Sequence, residues 1–209
     1  MSTTLDELIE GTAVLPILTV SRTEDAAPLA HALKAGGLKV IELTLRTEVA
    51  LDALKEIKSA EPDLKVGLGT ILDVSQIKRA EEAGADFLVS PGLTGELTQG
   101  LRSANCPVLP GVATASEAMQ AAEAGFKVLK FFPAEQAGGP DYLKSLKGPL
   151  PEIRFCPTGS ITRTRAPDYL ALPNVVFVGG SWVANSALIE ARDWDTITAN
   201  AEAAASLAG

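Results

Sequence analysis

A lysine, Lys130, stands inside the apolar run Val128-Leu129-Lys130-Phe131-Phe132-Pro133, which reads as a buried strand. Burying an ammonium group is costly. A lysine there is either paired with a carboxylate or holds a lowered pKa that keeps part of it as free amine. A free amine adds to a ketone and forms a Schiff base. The second charged residue set within an apolar run is Glu42, in Val40-Ile41-Glu42-Leu43-Thr44-Leu45-Arg46. A carboxylate beside that amine would shuttle the protons that addition and dehydration require. The plainer alternative is a structural ion pair, a weak stability device that performs no reaction.

Such groups need elements that bring them together. Short β-branched runs predict strands near Val14–Val20, Val40–Leu43, Lys65–Gly69, Phe87–Ser90, Val108–Pro110, Val128–Phe131, Arg154–Pro157 and Val175–Val178. Their spacing, roughly 20 to 26 residues, suits a strand, a crossover helix and two loops. Helices are expected over Asp25–Ala35, Val49–Ala60, Ser75–Ala83 and Ser116–Ala124. Three junctions repeat one pattern, a helix ending on Ala-Gly and a strand entered within a few residues: Ala35-Gly36-Gly37, Ala83-Gly84 and Ala124-Gly125. Glycine there fits the left-handed residue that closes a helix. The repeated βα unit predicts an α/β fold, a (β/α)8 TIM barrel forming a single domain over residues 1–209. A short N-terminal helix, Thr4–Glu10, would cap its bottom, and the Ala-rich helical tail after Asn185 would close the ring. An open doubly wound sheet is the rival fold. It usually carries a Gly-rich fingerprint after its first strand, where this chain has Thr19-Val20-Ser21-Arg22.

In a barrel the C-terminal ends of the strands build the site. There the chain offers Glu42, Thr44 and Arg46, then Gly69-Thr70, Ser90-Pro91-Gly92 and Pro110-Gly111, and Lys130 with Phe132 on its parity. The last two strands lead into Pro157-Thr158-Gly159-Ser160 and Gly179-Gly180-Ser181-Trp182. Two Gly/Ser loops at those positions predict an anion cradle of backbone N–H groups. His31 falls in the first helix, away from any strand end, and Cys156 has no histidine base near it in the pattern, so small core filler is its reading.

Other classes are disfavoured. A net charge of −8 argues against nucleic acid and against an anionic membrane surface. One histidine and two separated cysteines, Cys106 and Cys156, supply no CxxC or HxxxH metal site and suggest free thiols in a reducing compartment. Met1–Gly11 lacks the basic and apolar regions of a signal peptide, and no apolar run approaches the ~18 residues of a membrane span. The expected location is the cytoplasm.

Taken in order, Leu43-Thr44-Leu45-Arg46-Thr47, Gly69-Thr70, Ser90-Pro91-Gly92-Leu93-Thr94, Lys130-Phe131-Phe132-Pro133-Ala134-Glu135, Arg154-Phe155-Cys156-Pro157-Thr158-Gly159 and Gly179-Gly180-Ser181-Trp182 closely resemble the 2-keto-3-deoxy-6-phosphogluconate (KDPG) aldolase / 4-hydroxy-2-oxoglutarate aldolase family. The resemblance runs from about Val14 to Trp182. It implies a class I aldolase, a metal-independent and cofactor-free homotrimer, that cleaves the phosphorylated 2-keto acid KDPG to pyruvate and glyceraldehyde 3-phosphate. Use of 4-hydroxy-2-oxoglutarate or of the galactonate epimer is open. By the same resemblance Lys130 forms the Schiff base and Glu42 transfers protons. Arg46 and Thr70 hold the carboxylate end, and Pro91, Phe132 and Thr158 line the pocket. Gly159, Ser160, Gly180 and Ser181 hold the phosphate.

The chain departs from the family pattern at Ser160, where a second glycine is usual, and at Leu68, where alanine is frequent. Serine would be strained if that position needs positive φ. Leu68 would narrow the pocket, and an arginine within Ile161–Arg165 would assist the phosphate. The competing functional readings are a sugar-phosphate isomerase with Glu42 as base and a non-catalytic phosphate-binding barrel.

Overall fold

The structure, a computed structural model, describes residues 4–208; the outermost residues of the expected domain, 1–3 and 209, lie outside the described residues. Among the described residues, nine short strands are set between helices, with only β5 and β6 following each other directly: β1 Val14–Leu18, β2 Val40–Thr44, β3 Lys65–Gly69, β4 Phe87–Val89, β5 Val108–Leu109, β6 Gly111–Val112, β7 Val128–Phe131, β8 Arg154–Pro157 and β9 Val178–Gly180. Every pairing is parallel. One sheet has the order β5-β4-β3-β2-β1-β9 and the other β6-β7-β8. Proline has no N–H to give a ladder, and Pro110 alone separates β5 in the first sheet from β6 in the second. The expected fifth strand is therefore two. On the other side, single bridges join Phe155 to Val175 and Thr158 to Gly179. The expected last strand, Val175–Val178, is regular only from Val178, because Val176 bonds back to Phe155 while Val178 bonds to Ala13.

The helices are α1 Leu5–Leu8, α2 Ala26–Ala35, α3 Ala50–Ala60, α4 Val74–Glu82, α5 Gly95–Arg102, α6 Ala115–Glu123, α7 Gly139–Leu146, α8 Ala166–Leu170, α9 Ser186–Glu190 and α10 Trp194–Ala205. Side-chain caps start several of them. Thr114 and Glu117 form a reciprocal capping box on α6, and Asp73 and Thr94 cap α4 and α5; each cap contributes about 1 kcal/mol. The three Ala-Gly junctions end alike. Leu38 N–H donates to Leu33 O, Ala85 to Ala80 O and Phe126 to Ala121 O, while Gly37, Gly84 and Gly125 take φ of +88°, +88° and +97°. This 6→1 closure turns the chain sharply from helix into the next strand.

Strand alternation divides the apolar residues into two cores. Residues of one parity, such as Ile41, Leu43, Leu68, Leu129, Phe131 and Phe155, pack with the helices. Residues of the other parity, Leu15, Val40, Phe87, Val89, Leu109, Val128 and Cys156, form a second cluster with Phe177 and with Leu8 and Ile9. The second cluster draws on strands of both sheets, so the sheets face each other across it. Leu8 of α1 lies against the strand starts, and Arg154, which begins β8, grips Asp6 of α1 through both carboxylate oxygens at 2.8 and 2.9 Å.

Candidate active site

Glu42 shares parity with Val40, and Lys130 with Val128, so both project to the side of the second cluster, each two residues nearer its strand end. Glu42 is 1% exposed and Lys130 5%. They come from strands in different sheets, 88 residues apart, yet Lys130 Nζ donates to Glu42 Oε1 at 3.2 Å. One glycine, Gly69, makes room for the acid. In register, Glu42 stands beside Gly67 and Lys130 beside Gly111. A Cβ on Gly69 would occupy the space of the Glu42 carboxylate, lying 2.6 Å from its Cδ and 2.8 Å from its Cγ. Glycine at position 69 is thus what lets the acid lie flat over β3.

The pair is incompletely satisfied. Glu42 Oε2 is buried without a hydrogen-bond partner among the described residues. Beyond Glu42, Lys130 Nζ faces the Phe132 ring with its centroid at 5.6 Å, a cation–π distance. A carboxylate built only to neutralise a lysine would have both oxygens satisfied, since an unmet buried acceptor costs about 1–3 kcal/mol. The geometry favours a group that leaves one oxygen for a water or a substrate proton.

A cavity of about 290 Å³ is walled by Ile17, Arg46, Phe132, Pro133, Gln136, Thr158, Gly159, Ser160, Ile161, Gly179 and Ser181. Six of the expected residues therefore converge: Arg46, Phe132, Thr158, Gly159, Ser160 and Ser181. Lys130 and Glu42 are not among its walls; Lys130 Nζ is related to it through Phe132, a wall residue whose ring centroid lies 5.6 Å away. Thr70, Pro91 and Gly180 do not line this cavity. Pro91 packs over Gly111, whose missing Cβ would collide with its carbonyl. Thr70, at the end of β3, has φ +63°, uncommon for a β-branched residue and a local strain of the kind concentrated at functional sites. Gly180 is buried against Trp182 and Val14.

The loops after β7 and β8 are joined by backbone bonds, Ala134 N–H to Thr158 O at 2.8 Å and Glu135 N–H to Gly159 O at 3.4 Å. Gly159 takes φ +115°, and the expected strain at Ser160 is present, with φ +57°; the left-handed conformation costs a side-chain-bearing residue about 1–2 kcal/mol. Gln136 Nε2 donates to Ser160 Oγ at 2.9 Å.

Two expectations fail. Leu68 pairs in register with Leu43 and packs in the helix-facing core, because Gly67 and Gly69 hold the inward parity; it does not narrow the pocket. Among Ile161–Arg165 no arginine lines the cavity. Arg165 instead bonds Asp168 at 2.6 Å and approaches Glu135 at 3.6 Å. Ile17, Pro133, Gln136 and Ile161 line the cavity without a site role assigned from sequence, and Gly179 comes from the predicted anion-cradle loop. The parity of β1 marks Ile17 as inward, but nothing in the loop sequence marks Gln136. His31 pairs with Glu61 at 2.7 Å on the outside of α2. Cys156 is fully buried in the inner cluster, and burial pushes its thiol far above the usual range.

Residues 5–200 match the family described as "Aldolase: KDPG and KHG aldolase". The chain is 46% identical over 190 residues to the 2-dehydro-3-deoxy-phosphogluconate aldolase of Pseudomonas aeruginosa, covering 91% of this chain and 86% of that one. Two solved structures superpose closely. KDPG aldolase from Legionella pneumophila, with pyruvate captured at low pH as a covalent carbinolamine intermediate, has a TM-score of 0.92 at 41% identity, covering 95% of this chain and 96% of that one. The 2-keto-3-deoxy-6-phosphogluconate aldolase of Zymomonas mobilis ZM4 with 3-phosphoglycerate has 0.90 at 44% identity, covering 96% and 94%. A parallel α/β chain with a buried lysine and relatives of this kind is a class I aldolase, a carbon–carbon lyase. The chain belongs to the KDPG and KHG aldolase family.

Proposed function

We propose that this protein cleaves KDPG to pyruvate and glyceraldehyde 3-phosphate through a Schiff base on Lys130. The observation that carries the reading is the buried Lys130–Glu42 pair, with one carboxylate oxygen unpartnered among the described residues, next to Phe132, which walls a cavity edged by two Gly/Ser loops. Glu42 accepts the lysine proton, and the free amine adds to the C2 ketone. Glu42 returns a proton to the carbinolamine oxygen, which leaves as water, and a protonated imine forms. A base, Glu42 through a water, takes the C4 hydroxyl proton. The C3–C4 bond breaks, its electrons pass into the imine as an enamine, and glyceraldehyde 3-phosphate departs. Protonation at C3 and hydrolysis release pyruvate and the amine. The Legionella relative's carbinolamine with pyruvate is the kind of adduct that the final hydrolysis passes through.

In this reading Arg46 and Thr70 hold the carboxylate end of the substrate, and Pro91, Phe132 and Thr158 line its path. Gly159, Ser160, Gly180 and Ser181 bind the phosphate. The 3-phosphoglycerate in the Zymomonas relative supports a phosphorylated three-carbon half. The strands form a closed (β/α)8 barrel in a single domain with α1 beneath it, a reading supported by the Pro110 crossing and the bridges Phe155–Val175 and Thr158–Gly179. The chain works as a homotrimer in the cytoplasm. The shorter 4-hydroxy-2-oxoglutarate, split to pyruvate and glyoxylate, is a second substrate.

Borohydride reduction in the presence of pyruvate tests the chemistry. The expected result is a reduced pyruvyl adduct mapped to Lys130, with release of pyruvate from KDPG in a lactate dehydrogenase assay. An isomerase or a passive phosphate-binding barrel would give no adduct, and that result would overturn the proposal.

A further inference from the structure

The Gln136–Ser160 bond has a directional consequence at the mouth of the cavity. A serine hydroxyl carries one proton and two lone pairs. Gln136 Nε2 donates to Ser160 Oγ at 2.9 Å, and this is that hydroxyl's only side-chain hydrogen bond among the described residues. A lone pair is therefore occupied, while no side chain among the described residues accepts the hydroxyl proton. Both residues are exposed and both line the cavity. The strained φ of +57° at Ser160 sets its side chain on this wall, where an achiral glycine would leave only backbone. Glutamine is held close because the loops after β7 and β8 are bonded at Ala134–Thr158 and Glu135–Gly159.

We infer that Gln136 is a positioning residue that turns the Ser160 hydroxyl into a proton donor for the phosphate of the substrate, added to the backbone N–H groups of the two Gly/Ser loops. The inference rests on the proposed phosphate end of the cavity and names a side-chain contribution within it. The glutamine amide fixes the polarity of the serine: it gives a proton to Oγ, so Oγ–H points its own proton to an anion. A charge-assisted bond of this kind is worth about tenfold in affinity.

The test compares a phosphate-dependent reading with a phosphate-independent one in the same variants. The first is the KM for KDPG, together with competitive inhibition by inorganic phosphate. The second is the exchange of pyruvate methyl protons in heavy water, which needs only the Schiff base and its enamine. Ser160→Gly relieves the backbone strain and removes the hydroxyl. The expected result is a rise of about tenfold in the KDPG KM relative to the KM for pyruvate exchange, with kcat little altered and inhibition by phosphate weakened in parallel. Gln136→Leu should move the same ratio in the same direction. Gln136→Glu should move it further, because a carboxylate accepts the serine proton and repels the phosphate.

If Ser160→Gly keeps or improves the ratio, the backbone alone binds the anion and the inference falls. If Ser160→Gly raises the ratio but Gln136→Leu and Gln136→Glu do not, the serine acts without the glutamine and the positioning role falls. Absence of pyruvate exchange in the unaltered enzyme would instead strike at the Schiff-base reading, so the two failures are distinguishable.

Discussion

Gly69→Ala is the most searching single change, because it alters neither charged residue. The added methyl would sit where the Glu42 carboxylate lies, 2.6 Å from Cδ and 2.8 Å from Cγ, against an ordinary contact of about 3.5–4.0 Å. The acid is 1% exposed and cannot escape to solvent. It must swing off β3, and the 3.2 Å bond to Lys130 is lost or bent. Breaking one side of a buried ion pair costs about 3–5 kcal/mol. Some of that returns if the carboxylate finds a new angle on the amine, so a loss near the lower end is expected, read as a shift of the urea midpoint at constant m. Displacing a proton-transfer group costs a factor of about 10²–10⁴ in rate. Borohydride trapping of pyruvate and KDPG turnover should therefore fall at least about a hundredfold by that standard, in protein that still unfolds cooperatively. A Gly69→Ala protein that traps pyruvate as fast as the parent would show that the placement of the Glu42 carboxylate is irrelevant to the chemistry. That would refute the assignment of proton transfer to Glu42.

Two further outcomes follow from the buried groups. Lys130→Met should abolish trapping and also destabilise the fold by roughly 3 kcal/mol, because it leaves Glu42 buried without its partner; adding Glu42→Leu should recover most of that loss, as an apolar pair needs no compensation. Urea denaturation of the parent, Lys130→Met, Glu42→Leu and the double variant measures the coupling, and a Lys130→Met protein as stable as the parent would contradict it. The thiols should be inert in the native protein: burial pushes Cys106 up to about 11 and Cys156 well beyond it, so neither supplies thiolate near neutrality. An aromatic disulfide reagent should label both only after denaturation, and rapid native labelling of Cys156 would place it somewhere other than the inner cluster.

Much of the architecture is legible in the chain because it is local. The Ala-Gly junctions encode helix closure through a left-handed glycine, and the observed 6→1 bonds at Leu38, Ala85 and Phe126 follow from it. Strand runs separated by helix-length intervals imply parallel pairing, since parallel neighbours need crossovers. A lysine and a glutamate in apolar runs announce buried charge whatever the fold. The motif departure at Ser160 marks where strain would arise if the backbone takes positive φ, and the structure supplies that φ of +57°.

What only the tertiary structure decided is which of these groups meet. Positions 42 and 130 are far apart in sequence, and their 3.2 Å contact exists because strands of two facing sheets direct one parity inward. The same parity sent Leu68 to the helix side and left Gly69 as the floor for the acid. Gln136 was invisible because its role comes from a bond between two neighbouring loops, and loop conformation leaves no periodic trace in composition. No arginine of Ile161–Arg165 lines the cavity; Arg165 is engaged by Asp168 one helical turn on and by Glu135 from the β7 loop, and the second of these contacts is set by the fold. Residue type and period specify each element and the side it buries; long-range packing alone sets the distances at which two polar groups become a site.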